Sequence, residues 1–154
     1  MSYNLAGALG GINALTLIRP WDQSILVGPK RIENRKWAPP TRFLGQQIAL
    51  HAGEKWDENA VRFMAKHGFV PPCSRDESPR QAIVGLVTIA HVWEKGTMHF
   101  SEDGHDYASP WAFGPYCWFL SSITPLRTPV PCKGALGLWR VPDDLAKMVL
   151  SQVA

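Results

Sequence analysis

Residues 82–93, reading Ala-Ile-Val-Gly-Leu-Val-Thr-Ile-Ala-His-Val-Trp, constrain the fold of this chain more than any other segment. The run is rich in Ile and Val, holds no proline, and leaves little room for anything but a strand. Branched side chains fit a pleated sheet and lose rotamer freedom in a helix. Shorter strands are expected around it. Residues 14–18 form one, stopped by Pro20. Residues 30–36 form a weak one, with Arg31, Glu33 and Arg35 alternating against Ile32 and Asn34 until Pro39 and Pro40 break it. Residues 47–52, 116–123 and 135–141 complete the set.

Helices are expected in three places. Proline suits a first helical turn, so residues 20–27 read as a short helix ended by Gly28. Asp57 is placed to cap a helix running to about His67, with Ala60, Phe63 and Met64 on its apolar face and Gly68 as its stop. A last helix starts at Asp143 or Asp144 and ends near Gln152. Residues 71–79 and the polar stretch 95–110 read as loops. Strands outnumber helices, and the connections are too short for regular βαβ crossovers. The expected class is therefore mixed α/β of the α+β kind: a small, partly open β-barrel of about five to six strands with two or three packed helices. Residues 1–13 read as an N-terminal extension and 14–154 as one domain.

Composition supports a globular chain: of 154 residues, 45% are hydrophobic and 19% charged. No apolar run approaches the roughly 20 residues of a membrane span. Residues 5–17 are apolar and Gly-rich but lack the basic start and cleavage site of a signal peptide, so an unprocessed N-terminus is expected. Cys73, Cys117 and Cys132 show no CxxC spacing, which points to free thiols in a reducing, cytoplasmic setting. The net charge is only +3, but its distribution is uneven. Through residue 50 the chain carries Arg19, Lys30, Arg31, Arg35, Lys36 and Arg42 against Asp22 and Glu33 alone. A basic face of this kind suits phosphate, and equally describes a solvated charged face.

The segment with most chemistry runs from Pro20-Trp21 through Gly28-Pro29-Lys30-Arg31-Ile32-Glu33-Asn34-Arg35-Lys36-Trp37. Gly28 is expected to allow a tight turn between helix and strand. On an extended strand Glu33 and Arg35 project from one face, with Lys30 at the strand entrance and within reach. Two cations around one carboxylate would hold it ionised and fix all three heads. The set suits a nucleotide, with cations for phosphate and the carboxylate for a base N–H or a ribose hydroxyl. It also fits a structural ion-pair network at a barrel mouth.

The Pro-Trp pair, the Gly-x-Lys-x-x-Glu-x-Arg run, Ile-x-Leu-His-Ala at 48–52 and a late Gly-x-x-x-Leu-Trp strand together resemble the ASCH domain, named after activating signal cointegrator. The similar stretches are 20–37, 45–52, 82–90, 109–119 and 131–141, in that order. The resemblance implies a barrel of the PUA-like group, related to PUA, YTH and EVE domains. It also implies a cleft along the Lys-Glu-Arg strand for RNA, DNA or a nucleotide. It does not imply one activity, since relatives include amidohydrolases of acetylated cytidine, ribonucleases and plain binders. The small amidohydrolase branch carries a threonine nucleophile three residues after the lysine, where this chain has Glu33. Amide hydrolysis would then need a hydroxyl from elsewhere, such as Thr41 or Ser109.

Seven tryptophans are many for this length. Trp21 and Trp37 flank the charged strand, and Trp111 lies in the stiff stretch Ser109-Pro110-Trp111-Ala112-Phe113-Gly114-Pro115-Tyr116. Aromatic faces beside cations hold single-stranded bases, each stack contributing about 1–3 kcal/mol. Trp93, Trp118 and Trp139 are assigned to the core or its edge. His51 ends a strand and is a candidate general base facing the cleft, or equally a buried histidine bonded to backbone. His99, Glu102, Asp103, His105 and Asp106 match no zinc spacing, so neither metal nor cofactor is expected. The expected binding set is Trp21, Lys30, Glu33, Arg35, Trp37, His51, Ser109 and Trp111. If the chain is an enzyme, Lys30, Glu33 and His51 carry the chemistry of a metal-independent hydrolase. The expected partner is RNA, single-stranded nucleic acid or a modified nucleotide, without a membrane. The composition is compatible with a homo-oligomer and does not require one.

Overall fold

The computed structural model describes residues 11–95 and 109–153. Along the chain come β1 (Asn13–Arg19), α1 (Trp21–Leu26), β2 (Ile32–Arg35), a 3-10 turn (Thr41–Phe43), β3 (Gln47–Trp56), α2 (Glu58–Lys66), β4 (Ala82–Glu94), β5 (Tyr116–Pro131), β6 (Leu138–Arg140) and α3 (Asp143–Ser151). The strands form one mixed sheet in the order β2-β5-β4-β3-β1-β6. Strands β1 and β3 run parallel, and every other pairing is antiparallel. The α+β class and the incompletely closed sheet are as expected from the sequence.

Side-chain alternation decides where the core sits. Leu15, Leu50 and Val87 pack in one cluster with Leu17, Ile48, Ile89 and Trp118. Their chain neighbours Ala14, Ala49 and Leu86 pack in another, closed by Val141 and by Ala146 and Val149 of α3. Strands β1, β3 and β4 are thus buried on both faces, which is why residues 82–93 read as an almost unbroken apolar run. A third cluster joins Ile32, Trp93, Trp111, Cys117 and Phe119 to Ala60 and Met64 of α2. Asp57 caps α2 as expected, its Oδ1 accepting from the Asn59 N–H at 2.8 Å, and Gly68 ends it at φ +80°. All three cysteines are free thiols.

Three boundaries differ from the sequence expectation. Strand β5 continues past residue 123 through Pro125 and Pro129 to Pro131. Beyond Leu120, whose N–H donates to Arg31 O at 2.8 Å, no strand among the described residues pairs with it on its β2 side, so prolines lacking an N–H lie along an edge without a ladder partner. Strand β6 keeps only three of the residues in 135–141, because the stretch before it packs as a loop. A Cβ on Gly134 would lie 2.4 Å from Thr16 Oγ1 and 2.8 Å from the His51 ring. Strand β3 runs on to Trp56 beside the buried Arg19, whose guanidinium donates to the carbonyls of Gly53 (3.1 Å) and Glu54 (2.9 Å).

The sheet ends at β2 on one side and β6 on the other, and these edges are not backbone-paired. Strand β6 covers only Asn13, Ala14 and Leu15 of β1. At the next residue, the Thr16 carbonyl accepts a hydrogen bond from Arg35 Nη2 at 2.9 Å. The sheet is curled far enough for one side chain of β2 to bridge the seam. The acidic stretch containing His99, Glu102, Asp103, His105 and Asp106 lies outside the described residues.

Candidate functional site

Strand β2 places its side chains by its register with β5. Glu33 lies opposite Trp118 and Arg35 opposite Tyr116, so the two share a face while Ile32 turns to the α2-side core. The turn before β2 is fixed by the Lys30 N–H donating to Ser24 O at 3.0 Å. Arg31 adds bonds from Nη1 to the carbonyls of Ile25 (3.1 Å), Gly28 (3.0 Å) and Lys30 (2.9 Å). Gly28 matters here for space rather than for a left-handed backbone: a Cβ would sit 2.7 Å from the Phe69 ring and 2.8 Å from Ser24 O.

Lys30 is only 2% exposed. Its ammonium donates to Ile32 O, lies 3.5 Å from Glu33 Oε2 and sits 5.2 Å from the centre of the Trp21 ring. Arg35 Nε lies 3.5 Å from Glu33 Oε1. Burial pulls the pKa of Lys30 below its ordinary value, with the Glu33 carboxylate opposing that shift. Glu33 Oε2 and Arg35 Nε, although ion-paired, have no hydrogen-bond partner. A desolvated charge triad with donor and acceptor capacity left over is weak evidence for stability, because desolvation offsets much of the Coulombic gain.

An aromatic wall extends from the Lys30 ammonium. Trp21 meets Phe63 at 6.1 Å, Phe113 at 6.2 Å and Trp111 at 6.5 Å between ring centres. Phe63 in turn contacts Phe113 at 5.0 Å and His67 at 4.4 Å. Trp111 is buried, whereas Phe113 is 45% exposed. The loop carrying both is held by Asn34, on the opposite face of β2 from Glu33 and Arg35. Its Nδ2 donates to Trp111 O at 2.9 Å, and its Oδ1 accepts from the N–H groups of Phe113 (2.8 Å) and Gly114 (2.9 Å). Neither Asn34 nor Phe113 was singled out from the sequence. The available signal was an asparagine inside a strand, where that residue is disfavoured unless its amide has local work.

The other candidates are distributed differently. Ser109 Oγ accepts from the Trp111 N–H at 3.2 Å and shapes the loop. Among the described residues Lys30 hydrogen-bonds to neither Ser109 nor Thr41. Trp37 packs at 5.0 Å against Trp118 and accepts from its indole N–H through its carbonyl at 3.3 Å, so it belongs to the Leu15 and Ile48 core. Trp93 and Trp118 are buried, and Trp139 packs against the core, as expected.

His51 is fully buried. Its Nε2 lies 2.7 Å from Cys132 O, which can only accept, so Nε2 carries the proton. The Nδ1 atom then accepts from the Thr16 hydroxyl at 3.2 Å, and that oxygen accepts the Trp139 indole N–H at 3.0 Å. Burial lowers the pKa of His51 and holds the ring neutral. The basic face counted from the sequence also shrinks. Arg19 is fully buried, donating further to Arg75 O (2.8 Å) and Ser78 Oγ (2.7 Å), and Lys30 is enclosed, because both satisfy internal acceptors.

No protein-family model and no curated protein sequence matches the chain. Solved structures do. The ASCH protein from Zymomonas mobilis superposes with a TM-score of 0.53 at 13% identity, covering 92% of this chain and 94% of that one. A serine-to-alanine mutant of the Zymomonas mobilis protein gives 0.52 at 14% identity, covering 92% and 95%. The resemblance read from the sequence thus holds at the level of the fold: this chain has the fold of an ASCH domain.

Proposed function

We propose that the chain is a binding module for RNA or another single-stranded nucleic acid, or for a modified nucleotide, holding one base at the Lys30–Glu33–Arg35 mouth. The observation that carries this reading is the Lys30–Glu33–Arg35 charge cluster, partly open at Arg35, beside an aromatic wall with Phe113 exposed. Arg35, whose side chain is 24% exposed, reaches phosphate. Lys30 adds positive potential from beneath, Glu33 accepts a base N–H or sugar hydroxyl, and Trp21 with the exposed Phe113 offers a stacking face. Ser109, Trp111, Trp37 and His51 support the loop and the barrel behind it. Arg35→Ala and Lys30→Ala are each expected to weaken binding of single-stranded RNA, and Arg35→Ala to lower the salt-dependence slope by about 0.7 for its lost phosphate contact. Unchanged affinity in both variants, with folding checked by circular dichroism, removes this site from consideration.

A second reading is favoured by the burial of Lys30, which makes a neutral amine more accessible as a proton acceptor. It is a metal-independent hydrolase acting on RNA or on an acylated nucleoside. Mass spectrometry of both substrate types in EDTA separates the readings. Turnover that disappears in Lys30→Met supports the enzyme, and intact substrates leave the binding module.

A further inference from the structure

The seam that Arg35 bridges does not end at Arg35. Past β2 the chain continues along it: Trp37 and Phe43 both pack on the cluster that contains Leu15 of β1, together with Leu138 of β6. The seam then opens into a groove of about 490 Å³ lined by Asn13, Arg42, Phe43, Gln46, Gln47 and Arg140. Thr16, which takes the Arg35 bond, and Asn13, which lines the groove, are three residues apart on β1, about 10 Å along an extended strand. No carboxylate lines the groove among the described residues. The exposed Arg42 places its guanidinium 4.8 Å from the centre of the half-buried Phe43 ring. Arg140 keeps 57% of its side chain exposed, although its Nη2 lies 3.3 Å from Asp143 Oδ1, itself on an 80% exposed side chain.

We infer that this groove is a second contact site for the sugar-phosphate backbone of a single strand whose base is held at the Lys30 mouth. The inference rests on the binding reading above and extends it from one nucleotide to a polynucleotide. Guanidinium groups present paired N–H donors that match phosphate oxygens. The exposed carboxamide of Gln46 adds a neutral donor for sugar and phosphate. Among the described residues Asp143 is the carboxylate that pairs with this cluster, and phosphate would compete with it for Arg140 at the solvent-exposed rim.

The test is fluorescence anisotropy with labelled oligouridylates, a trinucleotide and a dodecanucleotide, against the wild type, the Arg42→Gln/Arg140→Gln double variant and Arg42→Glu alone. The dodecanucleotide is expected to bind the double variant about tenfold more weakly at low salt, with the log–log salt slope reduced by about 1.4 for two lost contacts. Arg42→Glu changes only an exposed side chain and is expected to weaken the dodecanucleotide in the same direction. Trinucleotide binding stays at the wild-type value in both variants. If wild type holds the dodecanucleotide and the variants hold it equally well with the same slope, the groove is not a contact site and only this inference falls. If wild type binds neither oligonucleotide, the nucleic-acid reading of the Lys30 mouth falls with it.

Discussion

Two buried polar groups meet at Thr16 from opposite sides. Its carbonyl takes Arg35, the last member of the Lys30–Glu33–Arg35 triad. Its hydroxyl joins His51, Trp139 and the Cys132 carbonyl. Both sets were candidates for chemistry on sequence grounds, and both hold a titratable group that is almost wholly buried. They differ in what is left over. Around His51 each ring nitrogen and the Thr16 oxygen is matched at hydrogen-bond distance with neutral partners. In the triad the charges approach only to 3.5 Å, and one carboxylate oxygen and one guanidinium nitrogen have no hydrogen-bond partner. A satisfied neutral network contributes to a single well-defined packing. A charged set with unmet capacity costs desolvation that its Coulombic attraction only partly offsets.

The contrast can be broken by mutation, and the largest effect is expected at the triad. Glu33→Ala leaves the Lys30 ammonium buried without its carboxylate and should destabilise the fold by about 3–5 kcal/mol, read by denaturant unfolding. The double variant Lys30→Met/Glu33→Leu should recover most of that loss while abolishing RNA binding. A double variant as unstable as the single one would mean that the triad is a structural element rather than a site.

Asp22 sharpens the comparison through pH. It is 1% exposed, Oδ1 has no partner, and burial raises its pKa from 3.8 to about 6, with backbone N–H groups and Arg19 opposing. Because the folded state holds this proton more tightly than the unfolded one, its contribution to stability is full below pH 3.8 and is lost as pH rises through about 6. Asp22→Asn should therefore stabilise the protein by about 3 kcal/mol at pH 8 and change little below pH 4. Equal effects at both pH values would show that the carboxylate is not strained by its burial.

The smallest of the three effects belongs to the satisfied network. Gly134→Ala forces a methyl against Thr16 Oγ1 and the His51 ring, and thermal unfolding should show a loss of about 2 kcal/mol, typical of overpacking. RNA binding should survive it. Binding lost together with stability would place His51 in the site after all.

Much of the molecule was legible because its signals are local. The long run at 82–93, the Asp57 cap and Gly68 stop of α2, and the same-face placement of Glu33 and Arg35 follow from periodicity and backbone preference. Strand β5 was read too short because an edge without a ladder partner tolerates Pro125 and Pro129, and edges exist only after strands pair. Residues 135–137 read as strand because nothing in their order announces that Gly134 must pass within contact distance of His51. Phe113 was overlooked because its exposure depends on Asn34, which is not its neighbour in sequence.

The sequence by itself determined the elements, the α+β class and the identity of the charged triad, since each depends on residues within a few positions of one another. Only the tertiary structure decided what those residues face. It buried Arg19 against carbonyls from two distant segments, enclosed His51 beneath Gly134, and set the Arg35 guanidinium across the seam between β2 and β1. Burial and unmet hydrogen bonds are properties of surfaces brought together across long stretches of chain, and no local pattern encodes them.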